Sequence, residues 1–111
     1  MEGTMYATIR RYTPKGGALT KSKIEDLTHR IEQGFLPVVQ EVPGFHCYYV
    51  LGVGEKELLS ISIFESQSGA KESTRRAAEF VRNDPLKDQL GSPEVTEGEL
   101  LITKEAAVGA H

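Results

Sequence analysis

Residues 45–65 constrain this chain more than any other stretch. They read as two strands, FHCYYVLG and ELLSISIFE, joined by a tight Gly-Val-Gly-Glu-Lys connection. Alternate residues of a strand face opposite sides of its sheet. In the second strand Leu59, Ile61 and Ile63 share one side, while Leu58, Ser60, Ser62 and Phe64 share the other. In the first, Phe45, Cys47, Tyr49 and Leu51 oppose His46, Tyr48 and Val50. Neither side is made for water. A sheet apolar on both sides needs two covers, and this chain has helices for only one. The pattern points to a partner subunit as the other cover.

The remaining elements follow from periodicity. Residues 5–12 (MYATIRRY) alternate imperfectly, are rich in Tyr, Ile and Thr, and predict a first strand. Thr13-Pro14-Lys15-Gly16-Gly17 is a loop. Ile24, Leu27, Ile31, Phe35, Val38 and Val42 then recur at steps of three or four, one stripe of a helix capped by Thr20 or Ser22. Gly34 and Pro37 interrupt it, which predicts a kinked helix or two short ones ending before Pro43-Gly44. Residues 66–83 form a second helix, with Ala70, Thr74, Ala77, Ala78 and Val81 inward. Glu72 with Arg76, and Arg75 with Glu79, are pairs four apart on its outer side. Residues 86–93 are a loop with room for one more turn. Residues 95–104 are a last strand with a bulge at Gly98, and residues 106–111 a frayed tail. The order βαββαβ predicts an α+β, ferredoxin-like fold, an antiparallel four-stranded sheet with two helices on one face. It is expected as a single domain over residues 1–111, with its core in about 5–104.

Composition narrows the function classes. A formal charge of −3 gives no electrostatic reason to expect nucleic acid or an anionic membrane as partner. Cys47 is the only cysteine, so an intrachain disulfide is impossible, and a strand cysteine fits a small buried side chain in a reducing compartment. No charged start with an apolar run, and no stretch of the ~18–20 apolar residues of a membrane span, is visible. The expected location is the cytoplasm.

Three places carry a resemblance. The first helix runs into Pro43-Gly44-Phe45, a strand ends Phe64-Glu65-Ser66 with the second helix starting at once, and the final strand follows a Pro-containing loop. In these the chain resembles the dimeric α+β barrel superfamily, which includes antibiotic-biosynthesis monooxygenases, haem-degrading monooxygenases and stress-response proteins. The resemblance implies a homodimer whose sheets stack face to face, and a pocket between sheet and helices. In that pocket cofactor-independent oxygenases of the group bind a polyphenol, and the haem degraders bind haem. The haem degraders place a tryptophan just before the Glu-Ser step, a histidine on the second helix and an asparagine on the first strand. Here Phe64 holds the first position, the chain has no tryptophan, residues 66–83 hold no histidine and residues 5–12 no asparagine. The tryptophan and strand asparagine that quinone-forming oxygenases often use are missing too.

Among residues that could do chemistry, His46 and Tyr48 are the catalytic candidates: His46 as a base for a phenolic proton, Tyr48 as its neighbour orienting substrate. The alternative for His46 is a strand histidine at the dimer contact or the sheet edge. His29, beside Glu25, Asp26 and Glu32, reads as a solvated helix-surface residue. Ser60, Ser62 and Phe64 are substrate-binding candidates, since small residues on strand and helix can leave a cavity with hydroxyls to orient a polar ligand; tight packing is the alternative. Arg10 and Arg11 lie on opposite sides of the first strand. One of them, Arg10 among the binding candidates, can be held inward against Glu65 or a ligand's anionic group; the alternative is two arginines in water. No metal-ligand spacing occurs, and no cofactor or metal is expected. Two functions stand: a cofactor-independent oxygenase acting on small aromatic compounds, or a non-catalytic ligand-binding or stress-related dimer.

Overall fold

The computed structural model describes residues 4–14, 19–83, 90 and 92–104. The strands are β1 (Tyr6–Tyr12), β2 (Phe45–Val53), β3 (Glu57–Phe64) and β4 (Glu94–Glu99). They form one antiparallel sheet in the order β2-β3-β1-β4. The helices are α1 (Lys21–Arg30), a π-turn at Ile31–Phe35, α2 (Leu36–Gln40) and α3 (Gln67–Arg82). The ferredoxin-like arrangement is as expected. The loop expected before α1 is described only in part, most of 86–93 lies outside the described residues, and so does the tail at 106–111.

The strand alternation holds on β3, whose residues are half-buried and buried in strict turn. Its buried set, Leu58, Ser60, Ser62 and Phe64, lies on the helix side together with Thr8, Arg10 and Tyr12 of β1. Two apolar clusters fill the space beneath the helices. One joins Tyr12, Leu19, Leu27, Leu58 and Leu90. The other joins Phe35, Val39, Val42, Phe64, Ala70 and Ala77. On the opposite face Ile9, Leu59, Ile61, Ile63 and Cys47 are only partly buried, and Tyr49 and Leu51 are 55% and 47% exposed. Cys47 is thus half-buried on the open face rather than buried in a core.

Four details differ from the sequence reading, each with a local cause. On β2 the pairing slips between Phe45 and Cys47, a bulge that the alternation does not foresee. It turns Phe45 to the helix side, where its ring meets Phe64 edge-on at 5.9 Å, while Cys47 and Tyr49 keep the open face. The bulge expected at Gly98 is absent: Gly98 pairs in register with Ala7, and β4 ends at Glu99. The helical stripe turns in at Val39 rather than Val38. Pro37 has no N–H to donate, and the π-turn ahead of it, closed by Leu36 N–H on Ile31 O, widens the coil. A wider turn delays the rotation by about one residue, which moves the inward position along by one. On α3 the buried set is Gly69, Ala70, Ser73 and Ala77; Thr74 is half-buried and Ala78 exposed.

Helix starts follow ordinary capping. Thr20 accepts from Lys23 N–H, and Ser66 accepts from Gly69 N–H. At Gly69 the helix runs hard against the chain: a Cβ there would lie 2.9 Å from Pro43 O and 3.2 Å from the Phe64 ring. The outer face of α3 carries the expected pairs, Glu72 with Arg76 at 2.7 Å and Arg75 with Glu79 at 2.6 Å.

Candidate functional site

The middle of the sheet's helix side is polar. Arg10 lies at the centre of β1, paired with Ser60 of β3 on one side and Val95 of β4 on the other. Strand phase sends its side chain inward with Thr8 and Tyr12, and it is 1% exposed. The guanidinium donates from Nη1 to Ser60 Oγ at 3.4 Å and Ser62 Oγ at 3.2 Å, and from Nη2 to Ser73 Oγ at 2.7 Å. Its Nε is buried with no acceptor. The Phe35 ring lies 5.9 Å from the guanidinium carbon, and Tyr48 meets that ring edge-on at 5.7 Å. Ser73 donates in turn to Ala70 O at 2.7 Å, which also accepts from Thr8 and Thr74 hydroxyls. β1, β3 and α3 are thereby tied through one polar centre.

Two cavities meet at this centre. An interior one, about 20 Å³, is lined by Arg10, Ser60 and Tyr48 among apolar walls that include Phe35, Phe80 and Leu90. That is room for about one water. An open groove of about 560 Å³ runs between α3 and β4. Arg10, Tyr12, Ala77 and Val81 line both. The groove is of the size that small-molecule sites have, ~300–1,000 Å³.

Burial controls the titration of these groups. It pulls the Arg10 guanidinium below its ordinary value, opposed by Tyr12, Tyr48 and Glu97. It pushes the Tyr48 phenol from 10.0 up to about 12, against the pull of Arg10 and a hydrogen bond with Ser60. Tyr12 is raised by burial as well, and Arg10 opposes that shift. Tyr48 is therefore a neutral phenol at physiological pH and no base. Its folded pKa is the higher one, so the stability it contributes is complete below pH 10 and is lost as pH rises through about 12. Urea midpoints are expected to fall across that alkaline window, and to fall less in Tyr48→Phe. An identical fall in the variant rules Tyr48 out as a source.

The structure brings together Arg10, Ser60, Ser62 and Tyr48 of the residues singled out in the sequence. Phe64 is fully buried in the second apolar cluster, behind the cavity rather than on its wall. His46 is exposed at the β2 bulge and lines neither cavity, so the expected His46–Tyr48 pairing is not formed. The bulge is the cause, because it breaks the alternation that would have put both on one side. Arg10 does not pair with Glu65, which is exposed at the end of β3. Arg11 stays at the surface beside Glu94 at 3.8 Å and Glu57 at 4.0 Å. His29 is exposed on α1. Ser73 was not singled out by hydropathy, yet its spacing shows it: it falls three after Ala70 and four before Ala77. Among the described residues no cluster of three or more His, Cys, Asp or Glu could hold a metal. Among them, too, no helix is long and apolar enough to cross a membrane.

Comparison with known proteins agrees with this architecture. A protein of unknown function from Nitrosomonas europaea superposes with a TM-score of 0.69 at 22% identity, covering 96% of this chain and 99% of that one. A monooxygenase of Streptomyces coelicolor, solved with the ligand nanaomycin D, superposes at 0.69 and 14% identity, over 96% and 95% of the two chains. A candidate antibiotic biosynthesis monooxygenase from Bordetella bronchiseptica gives 0.67 at 14% identity, over 89% and 99%. No protein-family model matches the chain, and no curated protein matches it in sequence. The chain thus has the α+β, ferredoxin-like fold of the antibiotic-biosynthesis-monooxygenase-like proteins. At these identities the likeness is one of fold, and the activity has to be argued from the site.

Proposed function

We propose that the protein binds a small organic molecule at the cavity and groove between its sheet and α3, without turning it over, as a homodimer in the cytoplasm. The observation that carries the binding reading is the convergence of Arg10, Ser60 and Tyr48 at a space whose other walls are mostly apolar side chains. The site offers hydroxyls and a cation. No His, Asp or Glu stands among the described residues that line either cavity, so a general base within reach of a bound ligand is wanting there. The homodimer is supported by the apolar open face of the sheet, which carries Ile9, Leu59, Ile61 and Ile63. Leu101 and Ile102, 83% and 88% exposed beyond β4, add apolar surface. The cytoplasm is supported by the lone, unpaired Cys47.

A second reading, a cofactor-independent oxygenase acting on a small aromatic compound, has one feature in its favour. A buried guanidinium would stabilise negative charge on an ionised aromatic substrate, and a monooxygenase of the same fold was solved with nanaomycin D. Oxygen uptake with a panel of hydroquinones and anthrones, beside titrations of the same compounds followed by tyrosine fluorescence, separates the two. Saturable binding with no uptake is the expected result. Sustained uptake that depends on protein concentration would replace the first reading by the second.

A further inference from the structure

We propose that the ligand is an organic monoanion, a carboxylate or ionised phenol on an apolar body, with its charge held against Arg10. This rests on the ligand-binding reading above and gives that site its chemistry.

The argument begins with an inversion. Arg11, Arg30, Arg75 and Arg76, with side chains 28% to 58% exposed, each have a carboxylate within 4.0 Å. Arg10, almost wholly buried, has none among the described residues. Ion pairs count least at the surface and a buried charge most needs a counter-charge, so stability alone would arrange the partners the other way round. The three acceptors that Arg10 does have are neutral hydroxyls, which satisfy N–H groups and leave the net charge in place. The one described carboxylate whose field reaches it, Glu97, is already engaged by Lys71 at 3.7 Å and by the Thr74 hydroxyl at 3.2 Å. One donor, Nε, remains unused.

The placement of Arg10 says where the missing charge belongs. It forms part of the wall shared by the interior cavity and the groove. The interior holds only about 20 Å³, enough for a water but not for a ring, so the body of a ligand lies in the groove. There Ala77, Ala78, Val81, Pro93 and Val95 make the apolar part of the wall, beside Tyr12, Thr74 and Ser92, with Arg82 as a second cation and no carboxylate among the described lining residues. Apolar walls ask for a hydrocarbon or aromatic body. A single buried guanidinium with few free donors matches one oxyanion group; a phosphate, with a higher charge and three acceptor oxygens, calls for more donors than this centre has left.

The test uses matched probes that differ in charge and hardly in shape: 2-naphthoate and 2-naphthamide, titrated by calorimetry into the full-length protein, its Arg10→Met variant and its Arg10→Lys variant. In the natural sequence the acid is expected to bind at least about tenfold tighter than the amide, the scale of a charge-assisted hydrogen bond. Arg10→Met should bring the acid down to the level of the amide in the same variant, with far-ultraviolet circular dichroism reporting that the variant is folded. Arg10→Lys should keep part of the preference. Equal binding of acid and amide by the natural protein overturns the monoanion and leaves the binding reading standing. An acid preference that survives Arg10→Met overturns the role of Arg10. Binding of neither probe by the natural protein overturns this proposal, and the fluorescence titrations with hydroquinones and anthrones then decide the binding reading separately.

Discussion

Replacing Ile61 by glutamate is expected to turn the proposed dimer into a folded monomer. Ile61 is central on the open face of the sheet, paired with Ile9 of β1 and Tyr49 of β2. It belongs to neither apolar cluster beneath the helices, so the change leaves the interior alone. In a two-fold interface each substitution occurs twice. Two carboxylates would be brought into an apolar contact near its centre, where desolvation and like-charge repulsion cost several kcal/mol. Sedimentation equilibrium at micromolar concentration is the measurement, with far-ultraviolet circular dichroism as the check on folding. A natural protein that sediments as a monomer defeats the dimer outright. A variant that stays dimeric moves the interface to another face.

Arg10→Met is expected to raise the thermal stability of the ligand-free protein. A desolvated cation without a counter-charge is removed, and methionine has the length and flexibility to fill its channel. The loss on the other side is small. Ser73 keeps its bond to Ala70 O, and Ser60 keeps Tyr48. Only Ser62 loses its partner, at about 1–3 kcal/mol. Replacing buried ionic groups by apolar ones of similar volume has been stabilising by about 1–4 kcal/mol elsewhere. Subtracting the orphaned hydroxyl leaves a mid-range gain of about 0.5 kcal/mol, or roughly 2–4 °C in Tm for a domain of this size. Adding Ser62→Ala removes that orphan and should raise Tm further. A fall of several degrees in both variants would mean that the guanidinium holds the fold together, and the case for keeping it as a binding group would weaken accordingly. A rise would mean that the natural sequence gives up stability for function.

Much of the architecture was legible because its signals are local. The alternation of ELLSISIF shows both faces of β3 without reference to any other strand, and the burial pattern follows it residue by residue. The cap at Ser66 and the pairs along α3 depend on spacings within one helix. What stayed hidden depends on partners. A bulge at His46 is a property of how β2 pairs with β3, not of FHCYYVLG alone. On β1 hydropathy points the wrong way: Ile9 faces the open side, while Arg10 goes inside with Thr8 and Tyr12. A sheet apolar on both faces offers no local reason to choose between those phases, and only the serines across the strand and on α3 decide it. For the same reason Ser60 and Ser62 were readable as pocket candidates, but not as acceptors for Arg10. The π-turn is likewise a response to Pro37 that the spacing of apolar residues does not reveal.

β4 gives the binding region an uneven mechanical character. It is an edge strand, hydrogen-bonded to β1 alone, exposed along its whole length, and linked to α3 through Glu97. Strands with so little packing open locally at a small fraction of the global unfolding free energy. The floor of the groove, Arg10 and Tyr12, is 1% and 7% exposed on the central strand; the rail beside it, Val95, is 41% exposed on the edge strand. In the proposed binding region, recognition would therefore fall to the central strands, and entry and exit would be eased by local opening of the edge strand.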